Sequence, residues 1–215
     1  MKGLLLKDWY QVRTSMKAMC LTVAFVLVIW VFSTSNAYVF PVSYAAVFLG
    51  ILPINLLAYD HASGWTEYSF ALPLSKELQV AEKYLVGLLC TAVSAALNGI
   101  FCGILFWMGK PLPAMPIGLL LGAGAASILL INGIMLPLYY RFGAEKARML
   151  YMLMFAGMGA ALGGGAVMDE LQQNGTGSGP LPVPLWLAAV LLLAVLALYA
   201  ASWRVSVAWY GKYKK

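Results

Sequence analysis

The stretch YDHASGWTEYSFALPLSKELQVAEKY, Tyr59–Tyr84, interrupts a sequence that is otherwise mostly apolar. It carries seven charged or titratable side chains within 24 residues: Asp60, His61, Glu67, Lys76, Glu77, Glu82 and Lys83. Of the 215 residues in the chain, 62% are hydrophobic and only 10% are charged, whereas about 25% are charged in a soluble globular domain. The composition therefore predicts an integral membrane protein, with this stretch between two of its membrane spans.

Long uncharged windows lie on both sides of the stretch: Ala18–Tyr59, Tyr84–Gly109, Pro111–Tyr140, Met149–Met168 and Leu171–Trp203. A membrane-spanning helix needs about 20 apolar residues. The first window is long enough for two spans if STSNAYVFP, Ser33–Pro41, forms a tight turn. We therefore predict an all-α membrane protein with a single domain over residues 1–215 and six spans, at residues 18–34, 41–59, 84–108, 116–139, 148–168 and 183–203.

The distribution of basic residues predicts the orientation of these spans. With six spans, thirteen of the fourteen Lys and Arg residues fall on one side of the membrane, and only Lys110 falls on the other. Because cytoplasmic loops carry an excess of Lys and Arg, both termini and residues 59–83 are predicted to be cytoplasmic. The Gly-rich segment 169–182 is then a flexible extracellular loop. The net charge of +6 reflects topology and attraction to anionic headgroups rather than nucleic-acid binding.

The first 17 residues, MKGLLLKDWYQVRTSMK, have the pattern of a helix that lies on the membrane surface. Apolar side chains recur at helical spacing and form one stripe: Leu5, Trp9, Val12 and Met16. Lys7, Gln11 and Thr14 fall on the opposite face, and this composition is typical of an interfacial helix. Two alternatives are a basic leader that only sets topology and a signal peptide cleaved near Ser35–Ala37.

The polar stretch itself predicts a short helix. Its apolar side chains share one helical face at positions i, i+3 and i+7: Trp65, Tyr68 and Leu72. Ser63 or Asp60 is placed to cap this helix, and Pro73 is expected to end it. An exposed apolar face on a cytoplasmic helix must be covered by lipid headgroups or by another protein, and both options stay open.

A second helix, KELQVAEKYL, is predicted to follow directly and to continue into the third span. Ser75 precedes this helix and is placed to cap it, and Glu77 in the first turn interacts favourably with the helix dipole. The segment 59–83 is therefore predicted to be a helical element at the inner membrane surface and not a random linker.

Residues that carry catalytic or metal chemistry are scarce in the sequence. His61 is the only histidine, so there is no His-based metal cluster and no Ser–His pair within the spans. Ion-coupled carriers use intramembrane charges, and membrane-embedded enzymes need clustered polar residues at one membrane face; neither pattern is visible. The chain is predicted to have no catalytic residue, no metal site and no cofactor. An ion-coupled carrier, a membrane-embedded enzyme and an assembly scaffold remain as alternatives.

Glycines four residues apart mark helix faces that permit close packing in membranes. Gly118 and Gly122 have this spacing in the fourth span, and Gly159 and Gly163 have it in the fifth. We predict that these faces are helix-packing surfaces. The sequence does not distinguish packing within the chain from packing between chains.

Two of these segments resemble known sequences. MKGLLLKDWY is similar to the opening of bacterial ABC transporter permeases of the type-2 exporter family. YDHASGWTEYSFALPLSKELQVAEKYLVGLL is similar to the loop between spans two and three of that family, which holds its coupling helix. Within the family, the chain resembles the small membrane subunits of phenol-soluble-modulin peptide exporters.

The resemblance implies a permease subunit of an ABC exporter in the bacterial plasma membrane. Two permease subunits, identical or different, would pair in the membrane, and two separate ATPase subunits would bind ATP and Mg and dock below them. The ATPase-coupling residues that the resemblance implies surround the short helix: Asp60, Ser63, Trp65, Glu67, Tyr68 and Leu72. The implied cargo is amphipathic or hydrophobic, such as a peptide toxin, an antimicrobial peptide, a lipid or a drug.

Overall fold

The computed structural model describes residues 2–15, 17–32, 39–72, 75–110, 117–173 and 185–210. All regular structure in these ranges is helical, with no β-strand among them, which confirms the all-α prediction. The helices in chain order are α1 (Lys2–Ser15), α2 (Lys17–Phe32), α3 (Val39–Ala62), α4 (Trp65–Ala71), α5 (Lys76–Trp107), α6 (Ile117–Gln173) and α7 (Leu185–Tyr210).

Four helical segments of the described chain are long and apolar enough to cross a membrane: Tyr44–Ala62, Lys76–Trp107, Ile117–Gly143 and Ala189–Tyr210. They coincide with the second, third, fourth and sixth predicted spans. The first predicted span falls on α2, whose apolar part, Cys20–Ile29, is shorter. The fifth falls on the second half of α6, where most side chains lie outside the described part of the chain. The structure supports a multi-pass membrane protein, and the count of six spans stays a prediction.

The helix α5 joins the polar stretch to the third span without a break. Ser75 caps it, because the Ser75 side chain accepts a hydrogen bond from the backbone N–H of Leu78 at 3.3 Å. Glu77 lies in the first turn, and both features confirm the prediction. With 32 residues, α5 is about 48 Å long, whereas the apolar core of a bilayer is about 30 Å thick. The first turns of α5 therefore have room to extend beyond the apolar core.

The helix α4 is the predicted short helix, but its start differs from the prediction. Gly64 is the N-cap, with a φ of 72°, and no side chain caps the helix. Ser63 instead donates a hydrogen bond to the backbone oxygen of Asp60 at 3.3 Å. The predicted caps were wrong because the corner between α3 and α4 is made by a left-handed backbone turn, which favours glycine. Pro73, the expected end of the helix, lies outside the described residues.

The helix α6 is interrupted once. Gly143 has non-helical backbone angles (φ 81°, ψ 176°) and divides α6 into two segments. The second segment continues to Gln173. Residues 169–173, which were predicted to begin an extracellular loop, are therefore helical, and residues 174–184 lie outside the described part.

The helices α3, α5 and α6 pack against one another, and α7 packs against α5 and α6. An apolar cluster that includes Leu57, Val80, Leu136 and Tyr199 joins these four helices. The first helix, α1, contacts α2, α3 and α5. The packing brings α1 and the first turns of α5 together beside the end of α3, where the polar stretch begins.

Candidate functional site

Four charged side chains from three helices form a closed ring: Lys7 and Asp8 of α1, Asp60 of α3 and Lys83 of α5. Lys7 Nζ lies 2.7 Å from each carboxylate oxygen of Asp60 and 3.2 Å from Asp8 Oδ1. Lys83 Nζ lies 2.8 Å from both Asp8 oxygens and 2.7 Å from Asp60 Oδ2. Each ammonium group therefore forms ion pairs with both carboxylates, and the contacts at 2.7 and 2.8 Å are charge-assisted hydrogen bonds. We call these four residues the ion-pair ring.

Three members of the ion-pair ring are buried, and Lys7 is half-buried, with 22% of its side chain exposed. Asp8 and Lys83 are each 2% exposed, and Asp60 is 4% exposed. Burying a charge is costly unless it is paired, and the ring supplies two opposite charges to every member. Asp60, which the resemblance implied as a coupling residue beside α4, is buried because its partners come from other helices. Lys7, which was predicted on the polar face of α1, also contacts carboxylates beyond its own helix face.

The side of α1 that packs against the other helices carries both charged and apolar residues. Asp8 is buried, and Leu5 and Val12 pack against an apolar cluster of α3 and α5. Trp9 is 64% exposed. The predicted stripe is therefore not a single lipid-facing surface: Leu5 and Val12 face protein, while Trp9 faces outward. Met16 lies outside the described residues.

Glu82 lies beside the ion-pair ring but is not part of it. Its Oε1 atom is 3.6 Å from Lys83 Nζ and has no hydrogen-bond partner among the described residues. The Glu82 side chain is buried, with 4% exposed. The ring together with Glu82 therefore contains two ammonium groups and three carboxyl groups, which is one carboxyl group more than the ammonium groups balance.

Side-chain contacts tie α4 to the neighbouring helices. Lys7 Nζ lies 4.7 Å from the centre of the Trp65 ring, which is a cation–π contact. Ser69 donates a hydrogen bond to Gln79 Oε1, and the Gln79 amide donates one to the Ser69 backbone oxygen, each at 3.2 Å. Tyr210 of α7 donates a hydrogen bond to the same Gln79 oxygen. These contacts join α4 to α1 and α5, and they join α5 to α7 at the same Gln79 side chain.

The outward side of α4 is aromatic. Tyr68 is 58% exposed, and its ring centre is 5.6 Å from that of Trp65. Trp65 and Leu72 are half-buried, and Ser63 is exposed. The side chain of Glu67 lies outside the described part. Among the predicted coupling residues that the structure describes, Tyr68 is the aromatic group that α4 presents outward.

A cavity of about 50 Å³ lies between α4 and the ion-pair ring. Six helices contribute to its wall, which includes Asp60, His61, Trp65, Glu82, Tyr140 and Tyr210. A cavity of this volume has room for a few waters. Because His61 is exposed, the cavity reaches the surface at the corner between α3 and α4. No group of three His, Cys, Asp or Glu side chains in the described residues is arranged to hold a metal ion.

Asp8, Glu82 and Lys83 were not predicted to be site residues. A signal was present, since opposite charges stand side by side at positions 7–8 and 82–83, each at the edge of an apolar stretch. Adjacent opposite charges at a membrane boundary can be buried as pairs, whereas single charges there are usually solvated.

The close packing of α5 against α7 depends on a glycine that was not among the four predicted from their four-residue spacing. A Cβ atom at Gly87 of α5 would lie 2.5 Å from the hydroxyl of Tyr199 in α7, so this approach requires glycine. Tyr199 donates a hydrogen bond to the backbone oxygen of Tyr84 at 2.8 Å. The Tyr84 hydroxyl lies 2.7 Å from the hydroxyls of Ser202 and Ser206. These bonds join α5 and α7 along a line of polar contacts.

The four glycines chosen by spacing lie on α6. A Cβ atom at Gly118 or Gly122 would meet no described atom within 4 Å, so neither glycine permits a close contact within the described chain. The surroundings of Gly159 and Gly163 lie outside the described part. A role of these faces in packing between chains stays a prediction.

The family model described as "ABC-2 family transporter protein" matches residues 3–211, which is nearly the whole chain. No curated protein and no solved structure matches the chain.

Proposed function

The chain belongs to the ABC-2 family of transporter proteins, and from this premise we propose that it is the permease of an exporter driven by ABC ATPase subunits on separate chains. The family match over residues 3–211 is the observation that carries the proposal. The permease performs no bond chemistry in this proposal. ATP and Mg bind to the partner ATPase, and the permease converts movement of that partner into transport.

The proposed topology has six spans with both termini in the cytoplasm. Four candidate spans in the described chain support it. The apolar helix α2 and the second segment of α6 supply the other two. The distribution of Lys and Arg, with only Lys110 on the outer side, gives the orientation. The ion-pair ring and α4 then lie at the cytoplasmic ends of the spans.

In the proposed mechanism, α4 is the coupling helix and docks into a groove of the ATPase. Tyr68 is its main anchor, because an exposed aromatic side chain can fill a pocket on the partner and such anchors dominate binding energy. Trp65 holds α4 against Lys7, and Ser69 holds it against Gln79. Closure of the ATPase dimer around ATP displaces α4, and the ion-pair ring carries this displacement to α1 and α5.

The proposed cargo is amphipathic or hydrophobic: a peptide toxin, an antimicrobial peptide, a lipid or a drug. It moves from the cytoplasm or inner leaflet along the boundary between two permease subunits, which are identical or different. The face of α6 around Gly118 and Gly122 is the proposed contact between these subunits. Its support is the absence of a close described neighbour there, together with the preference of membrane helices for packing on small residues.

Reconstitution tests this function. The permease and its cognate ATPase are placed in liposomes, and the movement of a fluorescent amphipathic peptide and of a short-chain fluorescent lipid is followed. We expect movement of at least one probe that requires ATP and is lost with a hydrolysis-deficient ATPase. Movement that an ion gradient drives equally well without the ATPase would instead establish an ion-coupled carrier.

A further inference from the structure

The carboxyl groups of the site outnumber its ammonium groups by one, and the additional carboxyl group, Glu82, lines the cavity. Within the ion-pair ring, two ammonium groups balance the carboxylates of Asp8 and Asp60. Glu82 is the additional carboxyl group: its Oε1 atom accepts no hydrogen bond from a described residue, and its ion-pair contact with Lys83 Nζ is long, at 3.6 Å. Burial raises the pKa of Glu82 to about 7, and its carboxyl group also forms a hydrogen bond with Asp8. A positive partner from outside the described chain would favour the charged form of Glu82.

The cavity offers such a partner a route to Glu82. Glu82 lines the cavity, and only 4% of the residue is exposed to solvent. The wall also includes Trp65 and Ser69 of α4, the helix proposed to dock. The exposed His61 places the opening at the corner from which α4 starts. A group that enters here therefore comes from whatever covers α4.

The size of the cavity restricts the kind of group that enters. At about 50 Å³, it accepts a few water-sized groups and excludes a peptide segment. The head of one long side chain fits this limit. Because ionised Glu82 would add a third carboxylate to only two ammonium groups, a basic head is complementary to it. Bidentate or point-charge pairing with a carboxylate is the usual role of Arg and Lys.

We propose that one Lys or Arg side chain of the ATPase partner enters the cavity beneath α4 and pairs with Glu82. This inference rests on the proposed docking of an ATPase at α4. Tyr68 anchors the outer side of α4, and the basic side chain fixes its inner side. The pair makes docking sensitive to charge. It also connects the partner, through Glu82, to the neighbouring Lys83 of the ion-pair ring.

The test is the dissociation constant of the purified ATPase for the permease in lipid nanodiscs, measured at low and high salt. Glu82→Gln keeps the shape of the side chain but removes its charge. We expect it to raise the dissociation constant about tenfold or more at low salt, because losing one member of a desolvated charge pair weakens complexes strongly. The salt dependence of binding should also become flatter. Glu77→Gln, a change at an exposed site on the same helix, should alter the constant less than about twofold.

A double-mutant comparison identifies the partner side chain. Each Lys and Arg in the docking groove of the ATPase is replaced with Ala, and its effect is measured against wild-type and Glu82→Gln permease. At one position, the Ala substitution in the ATPase should weaken binding to wild-type permease but have little further effect on binding to Glu82→Gln permease. This non-additivity is the signature of a direct pair. Additive effects at every basic position would overturn the proposal. The same comparison with Glu82→Asp, which keeps the charge, distinguishes lost charge from disturbed folding.

Other occupants of the cavity give different results. If Na⁺, K⁺ or ammonium raises the melting temperature of the isolated wild-type permease but not of Glu82→Gln, an inorganic cation fills the site and the proposal is wrong. If Glu82→Gln leaves ATPase affinity and its salt dependence unchanged, Glu82 retains a proton and the proposal is also wrong. In both cases, loss of binding with Tyr68→Ala would still leave the proposed docking at α4 intact. Unchanged binding with Tyr68→Ala would remove the docking proposal itself.

Discussion

At the scale of single residues, Lys83 holds the site together, since its ammonium group contacts both Asp8 and Asp60 while being 2% exposed. Replacing Lys83 with Met would leave two buried carboxylates with Lys7 alone. Breaking a buried ion pair in this way costs about 3–5 kcal/mol. We therefore expect Lys83→Met to lower the melting temperature of the detergent-purified permease strongly. Lys76→Met, at an exposed position on the same helix, should leave it nearly unchanged, and equal shifts would contradict burial of the ion-pair ring.

At the same scale, residues whose partners are nearby in the sequence could be predicted, whereas residues whose partners lie on distant helices could not. Ser75 was recognised as a cap because its bond reaches Leu78, only three residues away. Lys7 was placed on the polar face of an interfacial helix by its spacing, and Asp60 was predicted as a cap or coupling residue of the short helix. Their ion pairs also involve Asp8 and Lys83, which lie 75 residues apart in the chain, and no local pattern specifies that pairing.

At the scale of helices, the packing of α5 on α7 depends on Gly87. A methyl group there would meet the Tyr199 hydroxyl at 2.5 Å, so Gly87→Ala should separate the helices and cost about 1–3 kcal/mol. Gly103→Ala on the same helix meets no atom within 4 Å and should be neutral or slightly stabilising, since Ala favours helix. Thermal unfolding of the two variants in detergent compares them. A Gly87→Ala variant as stable as Gly103→Ala would show that α7 does not pack this closely.

The helices themselves were largely predictable, and their junctions were not. Long apolar windows predicted α3, α5, the first segment of α6 and α7. The i, i+3, i+7 spacing of apolar residues predicted α4. The cap at Gly64 and the break at Gly143 were missed, because each depends on a single backbone conformation with positive φ that many glycines in loops share. Spacing alone also selected Gly118 and Gly122 rather than Gly87, since the close approach at Gly87 is set by Tyr199 on another helix.

At the scale of the whole molecule, the proposed topology is open to a labelling test. Single cysteines are introduced at Gly175, Ser75 and Tyr213 after the native Cys20, Cys90 and Cys102 are replaced with Ser. A membrane-impermeant maleimide added to intact cells should label the Gly175 site alone, because the basic residues place the other two positions in the cytoplasm. Labelling at Ser75 or Tyr213 with protection at Gly175 would reverse the orientation and move α4 away from any cytoplasmic ATPase.

The central claim for the whole molecule is that α4 joins the permease to its ATPase, and Tyr68 tests it most directly. Tyr68 is 58% exposed, so Tyr68→Ala removes outward surface without disturbing the ion-pair ring. Truncating an aromatic anchor at an interface typically costs about 2 kcal/mol or more, which is about a 30-fold loss of affinity. Tyr10, also 58% exposed but on α1, provides the matched control.

The measurement is the amount of cognate ATPase that co-purifies with epitope-tagged permease, together with the ATPase activity of the complex. The account predicts that Tyr68→Ala permease inserts and folds normally but loses most of the bound ATPase, whereas Tyr10→Ala retains it. Full retention of the ATPase by Tyr68→Ala, and by a variant that also carries Trp65→Ala, would contradict the account. The aromatic side of α4 would then rest on lipid headgroups.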